Sequence, residues 1–466
     1  MPASIPPSSS SLLAQALRTV ARRYRLPAAL RASTDWRVSG AATALAACIE
    51  QARDAQAQAQ SPAPELRRHF TEALAQLIHE AMRAGQGDPA FQAMVLRHQA
   101  AAVREYASLL AHADRDRRAI RAAVDTLAHP AQLRRLAPTP LREALGRLHA
   151  APTCTALADT ASRIRDLYAT DAQPLPPTLA RLLQAPALAR MQRLEALEAD
   201  ARVRQYRALW DRNGPRQGSA AASAEGAASK QRGAVVEALA ARALQALAQW
   251  LNQADAAGPP YRVVTSMRVP AALAAGAQRA KTEWDAVLLR QAAGTAPGWD
   301  VCLLVEAKAS ADAATTDLLR LRRGLRVLAQ ADPDRAYPFE AREASVLVRG
   351  ASLGALAADD AGLSETILYC CDAPADAAVR LLGAASRMQL LSAPASLEFA
   401  GNLARQSHPD ARDLEPVWNQ LLQSPRWKPV LHQYPLLRQA RELMVHPDDL
   451  LALARQGDPD QAGSGV

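Results

Sequence analysis

The chain has 466 residues, 49% hydrophobic and 22% charged, which supplies two or three domain cores and excludes a wholly disordered or fibrous protein. Aromatic residues make up only 4% and much of the hydrophobic count is Ala, so helix is the expected main element. The net charge of +9 divides as +10 over 1–210, +1 over 211–230, −1 over 231–400 and −1 over 401–466, which points to an anionic partner, nucleic acid first, for the N-terminal half.

Only four of the 55 basic residues are Lys (Lys230, Lys281, Lys308 and Lys428), so an Arg-rich coding composition is a competing source of that charge. No apolar run approaches 18 residues; Ala41–Ile49 and Val301–Val305 are too short to span a bilayer. The N-terminus lacks a basic region followed by a long apolar core. Neither a signal peptide nor a membrane span is expected, and the expected location is cytoplasmic. The five cysteines, at 48, 154, 302, 370 and 371, lack the CxxC spacing of a zinc site and read as reduced packing residues.

In chain order, residues 1–10 are Pro/Ser-rich and read as loose. From Leu12 to about Trp210 apolar positions recur at three and four, as in Phe70, Leu74, Leu77, Ile78 and Met82, or Val103, Tyr106 and Leu110. Breaks fall at Ser61–Pro64, Gly85–Pro89, His129–Pro130, Pro138–Pro140 and Pro174–Pro177, giving an irregular bundle of seven or eight helices. Residues 211–230 are small, polar and Gly/Ser-rich and read as a linker. A helix follows over Arg232–Leu251. The period then changes: Tyr261–Val269, Thr282–Arg290 and Trp299–Ala307 read as strands, the last two joined by a turn at Gln291–Gly298. Thr315–Gln330 reads as a helix, Ser345–Val348 and Thr366–Cys370 as short strands, Pro374–Leu391 as a helix. Residues 401–455 return to helix. The expected domains are 1–210 (basic and helical), 211–230 (linker), 231–391 (α/β) and 392–466 (helical extension).

Nine histidines are present but none lies between His149 and His408. Chemistry in that window uses no His base, His ligand or Ser–His–Asp triad, and a metal there must be a hard cation held by oxygen. Residues two apart on a strand share a face, so Glu306 and Lys308 lie together at the end of the apolar run Val301–Val305. Glu283 and Asp285 are paired in the same way on the preceding strand, and a hairpin brings Asp285 beside Glu306. Two carboxylates in one buried region repel and raise each other's pKa. Mg²⁺ or Mn²⁺ bound by Asp285, Glu306 and the carbonyl of Ala307 relieves that repulsion and can activate water against a phosphodiester. Lys308 then orients the water or stabilises charge on the phosphorus. Glu237 stands upstream in the helix, in the run Arg232-Gly233-Ala234-Val235-Val236-Glu237.

Asp285, a gap of 20 residues, then Glu306-Ala307-Lys308 resembles the motif of the PD-(D/E)xK (restriction-endonuclease-like) nucleases, over about residues 230–372. The resemblance implies a mixed α+β or α/β fold with an αβββαβ core, here flanked by a large all-α N-terminal region and a helical C-terminal extension. It implies a metal-dependent phosphodiesterase acting on DNA, with RNA the less favoured substrate. Asp285 and Glu306 would be metal ligands, Lys308 the catalytic cation, and Glu237 a ligand or water-orienting group. Two departures stand out: Trp284 precedes Asp285 where the family name has Pro, and Thr315–Gln330 carries no clear Gln/Tyr motif. Against it stands an exposed ion pair at a sheet edge, worth about 0–1 kcal/mol. The alternative function is a nuclease-fold protein without activity, serving as a helical scaffold for nucleic acid or for a protein partner. Glu283 reads as solvated or as a support for the ligands rather than a ligand itself; Lys281 and the row Arg320, Arg322, Arg323 and Arg326 read as solvated, with contact to DNA phosphates the alternative. Trp418 and Trp427 read as core. No GxxxxGK[ST] or strand-linked GxGxxG is present.

Overall fold

The computed structural model describes residues 9–27, 30, 33–135, 137–171, 173–214, 219–274, 278–292, 298–356, 362–375 and 380–456. Contact density divides the chain into two units, 1–73 with 218–387 and 418–466, and 74–217 with 388–417. The expected sequential division is therefore not followed: chain from both ends joins the α/β segment in one unit.

In that unit β1 (Tyr261–Arg268), β2 (Glu283–Gln291) and β3 (Trp299–Lys308) form an antiparallel meander, with Thr265 opposite Ala286 and Ala286 opposite Val305. β4 (Ala336–Phe339) and β5 (Val346–Arg349) form a hairpin that meets β3 at Trp299. β6 (Ile367–Cys371) runs parallel to the second half of β3, Leu304 opposite Ile367 through Lys308 opposite Cys371, and β7 (Met444–Val445) adds outside it. The sheet is thus mixed, and the chain between β3 and β6 contains a long helix, the β4–β5 hairpin and two short helices.

Four helices of this unit matter for the site and its support: α1 (Ser9–Thr19), α2 (Ala220–Ala254), α3 (Ala311–Leu328) and α4 (Pro447–Gln456). β2 and β3 read as almost unbroken apolar runs because both faces of the sheet are covered. On one face Val287, Leu289, Leu304 and Tyr369 pack with Leu318, Leu321, Leu325 and Leu328 of α3. On the other, Leu288, Leu303, Val305 and Leu368 pack with Ala240, Leu244, Leu247 and Leu251 of α2, joined by Leu13 and Leu17 of α1, Val445 and Leu450. The buried positions of α2 follow the three-four spacing of a single stripe.

The segment expected to be a linker differs in the structure. From Ala220 it is the start of α2, capped by Ser219, whose hydroxyl accepts from the Ala222 N–H at 3.1 Å. Its Ala content favours helix, and its lack of large apolar residues leaves these turns exposed. Residues 215–218 lie outside the described residues, as do 1–8 of the Pro/Ser-rich start and 293–297 of the expected turn. The helix expected over Pro374–Leu391 forms at Ala384–Leu391, with 376–379 outside the described residues. The C-terminal stretch is helical apart from β7, which enters the sheet.

The second unit is helical. Its core joins Val103, Ile120, Val124, Leu148, Ile164, Leu179, Leu194 and Val203. Ser9 to Arg212 contains thirteen helical segments among the described residues, more than the seven or eight expected. Pro opens the segments at 64, 89, 130, 140, 177 and 186, since at the first helical position its missing N–H is no loss. Asp116 is buried and accepts two 2.7 Å hydrogen bonds from the Arg190 guanidinium. No helix among the described residues is long and apolar enough to cross a membrane. All five cysteines are free thiols, Cys48, Cys370 and Cys371 buried.

Candidate functional site

β2 and β3 run antiparallel, so the start of one lies beside the end of the other. Asp285 is one step beyond the Ala286–Val305 pair, next to Glu306. Its Oδ2 accepts a hydrogen bond from the Ala307 N–H at 2.8 Å, which ties the first half of the motif to the second. On β1, Ser266 is the residue facing this position; it takes a left-handed φ of 49° while Thr265 and Met267 hold the ladder on either side. An L residue is strained there. Arg342 reaches the Ser266 hydroxyl at 3.4 Å.

Glu306 has no exposed surface. It lies on the same face as Leu304, towards α3, and opposite Tyr369 in the β3–β6 ladder. The Lys308 ammonium is 3.2 Å from Glu306 Oε2 and 3.2 Å from Oδ2 of Asp317 on α3. A second ammonium, that of Lys281, pairs with the same Glu306 Oε2. Glu306 Oε1 is buried and has no hydrogen-bond partner among the described residues. Tyr369 completes the group, its ring centroid 6.0 Å from the Lys308 nitrogen.

Burial, and then the charge of Asp285, push the Glu306 carboxyl up to about 7 despite both lysines. Burial opposes the charge on Lys308, but Glu306, Asp317 and Asp285 outweigh it and hold the ammonium above its usual range. Burial first, then Asp317 and Glu306, raise Tyr369, so its phenol stays neutral. Glu237 is on an exposed position of α2. Its carboxyl is raised by partial burial and by the charges of Asp285 and Glu283.

Asp285, Glu306 and Lys308 are therefore brought together, while Glu237 stays at an exposed position of α2 and feels the charge of Asp285 without being gathered into the group. Glu283 pairs with Arg268 at 3.3 Å near the surface, in keeping with a solvated role. Of the Arg row on α3, 320, 323 and 326 are exposed and Arg322 is half-buried. Trp418 and Trp427 are buried as expected.

Lys281 is a correction: it is buried and ion-paired, not solvated. The reason is the close approach of α3. The Lys281 N–H donates to the Arg320 carbonyl at 3.1 Å, and a Cβ on Gly324 would stand 2.8 Å from Lys281 Cβ. The lone Gly inside an otherwise strong helix pattern was the available signal. Asp317 was also missed; its signal is a carboxylate beside the apolar stripe of Ala314, Leu318 and Leu321.

Among the described residues no group of three or more His, Cys, Asp or Glu side chains is gathered to hold a metal ion. The carboxylates of the motif at this site are Asp285 and Glu306, on adjacent strands. No family model, no curated protein and no solved structure matches the chain.

Proposed function

We propose that this chain is a metal-dependent nuclease of the PD-(D/E)xK kind, hydrolysing phosphodiester bonds in DNA. The observation that carries the reading is the hydrogen bond from the Ala307 N–H to Asp285, which joins Asp285 to Glu306 and Lys308 at one end of adjacent strands. The topology supports it. Helix α2, the meander β1–β2–β3, helix α3 and the strand β6 parallel to β3 match the αβββαβ order of that fold once the β4–β5 hairpin, inserted between α3 and β6, is set aside.

The residues suit a hard cation. The oxygen donors Asp285 and Glu306 fit Mg²⁺ or Mn²⁺, and the orphaned Glu306 Oε1 is a buried acceptor in want of a partner. When bound, such an ion acidifies water and neutralises phosphate charge. The protein's own groups do the rest. Lys308, charged and anchored between Glu306 and Asp317, offers a fixed ammonium to the charge that develops on the phosphate. Asp285 is held by the Ala307 peptide. Glu237, exposed on α2, would act as a ligand or orient water.

A second reading, a nuclease fold without activity that binds nucleic acid or a protein partner, is favoured by the absence of a three-ligand cluster among the described residues. One experiment separates the two. Purified protein is incubated with Mg²⁺ or Mn²⁺ and plasmid, linear, single-stranded and branched DNA, beside Lys308→Ala. Metal-dependent cleavage that falls at least 100-fold in the variant supports the nuclease. Equal cleavage by both proteins places the chemistry elsewhere. DNA retained on a gel but cut by neither supports the scaffold.

A further inference from the structure

The proposed chemistry employs Lys308 and leaves Lys281 without a task. Yet Lys281 is the more deeply buried of the two, its side chain 8% exposed against 16%. At that depth it does not reach a nucleic-acid substrate. Both ammoniums sit on one oxygen of one carboxylate, Glu306 Oε2, while Oε1 is left without a partner. Asp285 is instead occupied by a main-chain N–H. Burying a lysine costs several kcal/mol unless it is paired, so its placement here, with Gly324 left bare to admit it, is built in.

We infer that Lys281 is a positioning residue that serves as the resident counter-cation of Glu306 and competes with a divalent cation for that carboxylate's charge. This rests on the nuclease reading. A positive charge fixed within a few ångströms repels a second cation strongly where water is excluded. The site therefore takes Mn²⁺ weakly as built, and its carboxylates stay paired when the cation is absent. Lys308 cannot replace Lys281 in this role, because it is shared with Asp317.

The test titrates the full chain with Mn²⁺, reading free ion by electron paramagnetic resonance, for wild type, Lys281→Met, Lys281→Arg and Asp285→Asn. Lys281→Met is expected to bind Mn²⁺ at least tenfold more tightly than wild type, and Lys281→Arg within twofold of it. Asp285→Asn should bind at least tenfold more weakly. Melting without metal should be lowered in Lys281→Met and raised by Mn²⁺ by more than in wild type, a difference that loss of a merely structural lysine would not produce. Should Lys281→Met fail to fold, Lys281→Gln carries the same expectation. Mn²⁺ binding that is unchanged or weaker in the folded variant, beside a wild type that cleaves DNA, overturns the inference alone. No Mn²⁺ binding and no cleavage by any of the proteins overturns it together with the nuclease reading.

Discussion

Glu306 is a carboxyl with no exposed surface and two lysines on one oxygen. Burial and Asp285 nevertheless place its ionisation at about 7, above the 4.5 of an ordinary glutamic acid. The sign of the stability effect follows. Between the two values the folded chain binds a proton that the unfolded chain has released, so the contribution is full below pH 4.5 and is lost as pH rises through about 7. The difference amounts to about 3 kcal/mol. Glu306→Gln has no such proton. Urea unfolding of both proteins in metal-free buffer from pH 4 to 8 should show the wild type losing about 3 kcal/mol relative to the variant. Parallel curves would mean that the lysines keep Glu306 ionised throughout.

At the scale of elements, α3 is what closes the site. It supplies Asp317, covers the face that carries Glu306, and comes close enough to trap Lys281 because position 324 has no side chain. Gly324→Ala would place a Cβ 2.8 Å from both the Cβ and the carbonyl oxygen of Lys281. The overlap should cost about 1–3 kcal/mol, more than the helix gains from Ala. Gly233→Ala in α2, with nothing within 4 Å, is the control and should stabilise by up to about 1 kcal/mol. Denaturant midpoints that move the same way for both would show that α3 can yield at this contact. What was legible in the sequence at this scale is what has a period: β1 to β3, the α2 stripe and the Glu306–Lys308 pair. β4 was illegible because Pro338 interrupts a four-residue run, which an edge strand tolerates. β7 is two residues long and exists through its pairing with β6. Lys281 and Asp317 were harder to read: Gly324 and the position of Asp317 beside the apolar stripe of α3 mark a close helix contact, but they do not say which charged residue the packed helix covers.

For the molecule as a whole, sequence order is a poor guide to what folds together. Period and composition read as consecutive domains, yet the sheet unit recruits Leu13, Leu17 and Val20 from the N-terminal stretch and Met444, Val445 and Leu450 from the C-terminal one. Tyr24 adds a tether, its hydroxyl donating to the Cys371 carbonyl at 2.8 Å at the end of β6, near the site. These side chains are fully or almost fully buried, and each large one removed leaves a partner face open to water at a cost of about 1.5–3 kcal/mol. Six such losses, about 9–18 kcal/mol together, match or exceed the roughly 5–15 kcal/mol that holds a typical domain together. A fragment spanning residues 231–391, which contains Asp285, Glu306, Lys308 and Glu237, should therefore fail to fold cooperatively, bind no Mn²⁺ and cleave no DNA. The same fragment supplied with the flanking chain, as the full 466-residue protein, should melt cooperatively. Circular dichroism melts and amide proton dispersion of the two proteins make the comparison. A fragment with a sharp transition and dispersed amides would show instead that the strands and α2–α3 suffice, and that the terminal elements are additions to a core that stands without them.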